Sequence, residues 1–260
     1  MTRHGSASPA DRAPVISAHR GGSEIAPPGT YAAYRAALAA GAGFLEFDVR
    51  GTADGELVAF HDGRLRSGMP VAAASYDELC RAAGYEVPTT RGIFELLAGQ
   101  AGMHGAGAHI DLKVAAAGPL VVAQALATIE PPRVIVTSRD PASVQAIKSR
   151  YPEVGAGLTI GGDAAQSVRH AARWVRPARW ADAVAGAGAD WAAVQQRLAL
   201  IGVLAECRDR GMRTMIWTVN GDARLRKWLA SPNVDVLVTD RPRRAAELRS
   251  QAMAPSHGAD

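Results

Sequence analysis

The sequence predicts an α/β chain of the (β/α)8, or TIM-barrel, class with a small insertion after the second strand. Three observations carry that expectation. Eight short β-type runs alternate with longer helical patterns, as in repeated βαβ units. The chain has 260 residues, the size of such a barrel, which typically takes about 250. Polar, chemically capable residues recur at the C-terminal ends of several different strands, the face on which barrel enzymes build their sites. A doubly wound sheet is the alternative, and the last observation favours the barrel.

In chain order the strands are VISAH (15–19), GFLEFDV (43–49) with LVAFH (57–61) as its hairpin or extension, AHIDLK (108–113), RVIVTS (133–138), VGAGLTI (154–160), ADWAAVQ (189–195), RTMIWTV (213–219) and VDVLVTD (234–240). Helical segments fall between them. TYAAYRAALAAG at 30–41 closes on Gly41, and DPASVQAIKSRYP at 140–152 opens on Asp140 and ends before Pro152. The stretch 62–90 is too long for a simple βα loop and is read as a small lobe over the barrel mouth. No linker or composition break divides the chain, so 14–250 is read as one domain. The polar ends, 1–13 and 251–260, are expected to be disordered.

Composition excludes several classes. Basic residues outnumber acidic ones by 29 to 25, a net +4, but arginines such as Arg81, Arg150, Arg173, Arg208 and Arg226 are scattered over what reads as exterior helices and loops. Nucleic-acid binding needs a clustered basic face, with interleaved aromatics for a single strand. Neither is visible, so no nucleic-acid partner is expected, although a positive field would help to steer a phosphate-bearing substrate. Cys80 and Cys207 are too few and too far apart for a disulfide framework or a zinc site. The N-terminal MTRHGSASPADRAP has no apolar segment and no apolar run is long enough to span a bilayer. The expectation is a cytoplasmic protein without stable membrane insertion, its oligomeric state left open.

The second strand poses the chemical question. Side chains alternate along a strand, so Phe44, Glu46 and Asp48 share one face and Leu45, Phe47 and Val49 the other. Two carboxylates pointing the same way in an apolar run repel each other and lose hydration, unless a cation or basic residues compensate them. Two or three carboxylates completed by water and substrate oxygen suit a hard divalent cation, Mg²⁺ or Ca²⁺. By the same alternation AHIDLK brings His109, Asp111 and Lys113 together.

His19 ends the first strand and is followed by Arg20-Gly21-Gly22, where glycines permit close approach of an anion. His61 ends the extension of the second. Imidazoles titrate near pH ~6.5, so two of them at the mouth suit a general acid and a general base. With Arg20 and Lys113 to neutralise a phosphate, the set reads as metal-assisted phosphodiester chemistry. His109 is read as packing or as support behind the site. Asp62 is read as capping the turn after His61, with orientation of that imidazole as the alternative. Trp217 serves either barrel packing or substrate contact, and Trp174, Trp180, Trp191 and Trp228 are assigned to the core or to contacts between helices.

HRGG (19–22), LEFDV (45–49), the D-G turn at 54–55, FHD (60–62), IDLK (110–113), WTVN (217–220) and VTDRP (238–242) occur in this order. Over about residues 15–245 the chain thereby resembles the glycerophosphodiester phosphodiesterases. The resemblance implies a (β/α)8 barrel with an insertion after the second strand, and hydrolysis of small-molecule glycerophosphodiesters to glycerol 3-phosphate and an alcohol. It implies His19 and His61 as the acid/base pair, Glu46, Asp48 and Asp111 as ligands of a divalent metal, Arg20 and Lys113 on the phosphate, and Trp217 lining the pocket.

Two positions depart from the family pattern. Asp111 stands where glutamate is usual, which retracts the carboxylate by roughly one carbon–carbon bond, as in the related sphingomyelinase D enzymes. Pro27-Pro28-Gly29-Thr30 replaces P-E-N-T, removing a carboxylate and an amide near the mouth, with Glu24 as the candidate to reach into that space. Two other functions remain open. One is a lysophospholipase D or sphingomyelinase D-like enzyme, whose lipid chain would need an apolar groove built from Met69, Val71, Tyr76, Leu79 and Tyr85. The other is a catalytically inactive barrel that binds phosphodiesters.

Overall fold

The structure, a computed structural model, describes residues 13–99, 105–162 and 176–253. The strands are β1 (Val15–His19), β2 (Phe44–Gly51), β3 (Leu57–Ala59), β4 (Gly107–Leu112), β5 (Val134–Ser138), β6 (Gly155–Ile160), β7 (Trp191–Gln195), β8 (Arg213–Trp217) and β9 (Val236–Thr239). They form one sheet in the order β1-β9-β8-β7-β6-β5-β4-β2-β3. Because β1 also pairs in parallel with β2, the eight parallel strands close into a barrel. The remaining strand, β3, runs antiparallel to the end of β2, with Val49 opposite Ala59 and Gly51 opposite Leu57. The LVAFH run is therefore a hairpin, turned at Asp54-Gly55, where Gly55 takes φ 85 and the Thr52 hydroxyl donates to Asp54.

The helices begin where their caps place them. In α1 (Tyr31–Ala39) the Thr30 hydroxyl accepts from the Ala33 N–H; α2 (Tyr76–Ala83) opens on a reciprocal Ser75–Glu78 capping box. Thr89 caps α3 (Thr90–Ala98), α4 (Gly118–Leu126) follows a 3-10 turn, and Asp140 caps α5 (Pro141–Arg150) by accepting from Ala142 and Ser143 N–H. Each cap satisfies backbone donors that have no partner inside the helix. The last helix, Pro242–Met253, extends three residues into the tail expected to be disordered. The rest of that expectation, for residues 1–12 and 254–260, lies outside the described residues, as does Trp174.

Two apolar layers hold the barrel. Outward-facing Leu45, Phe47, Ile110 and Val136 pack against the surrounding helices, with Phe47 edge-on to both Tyr34 and Phe94 at 6.4 and 5.9 Å. Inward-facing Phe44, Ile135, Trp191 and Met215 fill the interior. Glycine makes room for two of them. A Cβ on Gly107 would stand 2.6 Å from the Phe44 ring and 2.3 Å from the Arg133 carbonyl, and one on Gly155 would stand 2.8 Å from the Trp191 indole nitrogen. The insertion has a separate small core of Val58, Leu65, Val71, Ala74, Leu79 and Val87. Among the described residues no helix is long and apolar enough to cross a membrane.

Candidate active site

Strand register brings the predicted residues together. Across β1, β2 and β4, His19 lies beside Glu46 and Glu46 beside His109. One inward position further along, Asp48 lies beside Asp111 and Asp111 beside Thr137 of β5. Above the apolar plug, polar rows therefore line the C-terminal mouth. Glu46, Asp48 and Asp111 each present one oxygen within 4.8 Å of the others, and Glu46 and Asp48 are 4% and 3% exposed.

The two cations expected on phosphate lie on these carboxylates. Lys113 Nζ bridges Asp48 Oδ1 at 2.8 Å and Asp111 Oδ2 at 2.5 Å. Arg20 Nε lies 2.9 Å from Asp48 Oδ2, but the approach is not aligned for a hydrogen bond, so both buried atoms lack a hydrogen-bond partner. Burial would raise the Asp48 carboxyl, but Lys113 and Arg20 outweigh it and hold it below the usual carboxylate range. Glu46 has less help: it accepts from the Arg20 backbone N–H at 2.9 Å, and His19 Nε2 lies 4.0 Å away. Burial accordingly raises its carboxyl, only partly offset by His19. A buried carboxylate short of positive charge and an orphaned carboxylate oxygen are what a cation at this point would satisfy.

The imidazoles are held differently. His19 Nδ1 lies 2.6 Å from Asp240 Oδ1, and Asn220 Nδ2 donates to the other oxygen of Asp240. With Nδ1–H given to Asp240, the Nε2 lone pair of neutral His19 is turned to the cavity. Burial lowers the pKa of His19, but Glu46 and Asp240 outweigh it, and the net value is above 6.5. His61 sits on the rim, its side chain 49% exposed and its Nδ1 2.7 Å from Asp62 Oδ1. Orientation of the imidazole, the less favoured expectation for Asp62, is thus the contact that forms. Arg50 fixes the segment from below by donating twice to the His61 carbonyl.

His109 supports the site from behind. Thr137 Oγ1 donates to Asp111 Oδ1 at 3.1 Å, so its single proton is committed and it accepts from His109 Nε2. Nδ1 then accepts from Ser17 Oγ at 3.1 Å. Burial drives the pKa of His109 down to about 3, and the imidazole stays neutral.

Three expectations are corrected. The glycines after Arg20 admit packing rather than an anion: Cβ atoms at Gly21 and Gly22 would meet the Ala33–Tyr34 backbone at 2.8 Å and the Pro242 ring at 2.6 Å. Glu24 does not fill the P-E-N-T space; its carboxylate accepts from the Arg243 and Arg244 N–H groups and caps the last helix. The apolar groove is absent among the described residues, since Val71 and Leu79 are buried in the lobe's core with Met69 and Tyr76 packed on it. Of the five candidates only Tyr85 lines a cavity beside the mouth.

An inner cavity of about 210 Å³ is bounded by His19, Glu46, Asp48, Asp111, His61 and Trp217. Trp217 packs in the barrel wall, where Nε1 donates to the Ala193 carbonyl at 3.0 Å, and its ring also lines this cavity, with the Arg139 guanidinium 5.3 Å from the ring centre. Sequence reasoning missed Asp240, Asn220, Thr137 and Arg139. The signal for Asp240 was present, because it follows the last strand directly, where VTD meets the mouth.

Residues 19–100 and 103–244 match the Glycerophosphoryl diester phosphodiesterase family. A Mycobacterium tuberculosis protein named probable glycerophosphodiester phosphodiesterase 1 is 54% identical over 52 residues, 20% of this chain and 19% of that protein's length. The crystal structure of a glycerophosphodiester phosphodiesterase from Agrobacterium tumefaciens superposes with a TM-score of 0.67 at 25% identity, over 90% of this chain and 99% of that one. An Oleispira antarctica phosphodiesterase in complex with the product sn-glycerol-3-phosphate does so with a TM-score of 0.69 at 18% identity, over 94% and 100%.

Proposed function

The chain belongs to the glycerophosphoryl diester phosphodiesterase family, and on that premise we propose that it hydrolyses soluble glycerophosphodiesters to glycerol 3-phosphate and an alcohol by His19/His61 acid-base catalysis. The observation that carries this reading is the convergence of one Asp-held histidine, a rim histidine and three carboxylates on a single cavity at the mouth.

Glu46, Asp48 and Asp111 would hold a divalent cation, Mg²⁺ or Ca²⁺, because their oxygens are hard donors, Asp48 Oδ2 is orphaned and Glu46 is undercompensated. When bound, such an ion neutralises charge on a phosphoryl oxygen. Arg20 and Lys113 flank the same space and add positive charge for the phosphate, and Trp217 walls the glycerol side. His19 Nε2, turned inward by Asp240, takes the proton of the substrate's 2-hydroxyl as that oxygen attacks phosphorus. His61, at the solvent edge with Nδ1 on Asp62, gives a proton to the departing alcohol oxygen. The cyclic phosphate so formed is opened by water with the two imidazoles in exchanged roles, which returns both to their starting states.

Release of glycerol 3-phosphate from glycerophosphoethanolamine, followed with Mg²⁺, Ca²⁺ or EDTA, tests the reading. Metal-dependent release in the wild type is expected, with a loss of about 10²–10⁴-fold in His19→Ala. Near-full turnover in that variant would remove His19 from the chemistry. Turnover confined to lysophospholipids would transfer the assignment to a lipid phosphodiesterase, and binding without turnover would leave a phosphodiester-binding barrel.

A further inference from the structure

Resting on that reading, we infer that this enzyme selects glycerophosphodiesters whose leaving alcohol itself carries negative charge, through Arg64 and Arg66 of the insertion. A second cavity, of about 310 Å³, opens beside the inner one and shares Arg20, Asp48 and His61 with it. A phosphodiester has two ester arms, and two cavities meeting at the phosphate-facing groups give one arm to each. His61 stands at the junction, so the arm whose oxygen it protonates lies in the outer cavity.

The walls of that cavity state which alcohol fits. Pro28 and Gly29 bring neither charge nor a hydrogen-bonding side chain on one side. On the other stand Phe60, Arg64, Arg66 and Tyr85. The two carboxylates on its lining have nearer partners than these arginines, Asp48 beside Arg20 and Lys113 and Asp62 on His61 Nδ1. Arg64 gives one hydrogen bond to the Gly68 carbonyl, and Arg66 makes no hydrogen bond or ion pair with any described residue. Two guanidiniums without a countercharge repel an ammonium head such as choline, whatever the aromatic rings offer it. They suit a phosphate or carboxylate, which a guanidinium binds through two parallel hydrogen bonds. At about 310 Å³ the cavity lies in the range that holds small ligands, roughly 300–1,000 Å³.

The test is the ratio of kcat/KM for glycerophosphoglycerol carrying a terminal phosphate to that for glycerophosphocholine, in wild type, Arg66→Glu and Arg64→Gln/Arg66→Gln, with Mg²⁺ present. The wild-type ratio is expected to be about tenfold or more, a single charge contact at partial exposure, and to shrink as salt is raised. Arg66→Glu, which leaves Arg64 opposite a carboxylate, and the double Gln variant each cancel the pair's net charge of two and should bring the ratio towards unity. A wild-type ratio of one or less, or a ratio that the variants leave unmoved, would overturn the inference while leaving the phosphodiesterase reading intact. No glycerol 3-phosphate from either substrate would overturn both.

Discussion

His19 depends on a hydrogen bond to Asp240, 221 positions along the chain. The carboxylate fixes the tautomer that presents Nε2 to the cavity, and in the proposed mechanism it would stabilise the imidazolium formed when His19 takes a proton. Asp240→Asn removes the charge while keeping an oxygen near Nδ1. The variant should lose kcat by about 100-fold or more, with KM little changed. Asp240 is one of the groups that raises the pKa of His19, so its removal lowers that pKa. In the proposed mechanism His19 acts as the neutral base, and the acid limb of the pH–kcat/KM profile should therefore move to lower pH. A variant with lower kcat but an unmoved limb would make Asp240 a packing residue only. Asp111 shows the same logic: the shortened side chain is held by Lys113 and Thr137, and Thr137 is steadied by His109. Strand alternation places His109 on the inward face, but its hydrogen bonds to Ser17 and Thr137 follow only from barrel packing.

Elements put these residues at the right height. On β4, Gly107 gives way to the Phe44 ring and to the Arg133 carbonyl, and the strand then continues to His109 and Asp111. Gly107→Ala should cost about 1–3 kcal/mol, the range for overpacking a filled interior, read from denaturant unfolding midpoints. A neutral result would mean that β4 shifts freely, and Asp111 with it. The cap of α5 supplies a pH dependence. Asp140 is held below the usual carboxylate range by the Ser143 hydroxyl and the Ala142 N–H. A carboxylate with a depressed folded pKa contributes stability above its unfolded value, and that contribution is lost as pH falls through the folded one. Asp140→Asn cannot titrate, so its Tm should fall less than the wild type's between about pH 5 and pH 3. Parallel Tm profiles would place the acid sensitivity elsewhere. Helix ends themselves were legible: Thr30 and Asp140 are both caps, and α1 and α5 each run within two residues of the expected limits.

At the scale of the whole molecule, a cation at Glu46, Asp48 and Asp111 would link three positions on two strands that only the folded barrel brings together. Binding to the native state alone raises stability by about 2.7 kcal/mol at a ligand concentration 100-fold above Kd. Mg²⁺ or Ca²⁺ should therefore raise the Tm of the metal-free wild type by several degrees, and should fail to do so in Asp48→Asn. An equal rise in that variant would place the ion outside this cluster.

All eight barrel strands lie where their apolar runs and alternation put them, because pleating and helical period are properties of neighbouring residues. The same local rule identified His19, Glu46, Asp48 and Asp111 as inward-facing or mouth residues before any strand was paired. Closure of β1 onto both β2 and β9 was beyond that rule, and with it the Asp240–His19 pair, the Lys113 bridge and the cavity shared between barrel and insertion. The lobe's apolar residues could be counted in the chain, but whether they formed a groove or a core depended on their packing against one another. Glu24 likewise could be placed near the mouth, but the free N–H groups of a helix more than 200 residues away decided its partner. The sequence alone determined which side chains each strand presents, since alternation acts over two residues. Tertiary structure alone decided what they face, since contact depends on chain closure over the whole barrel.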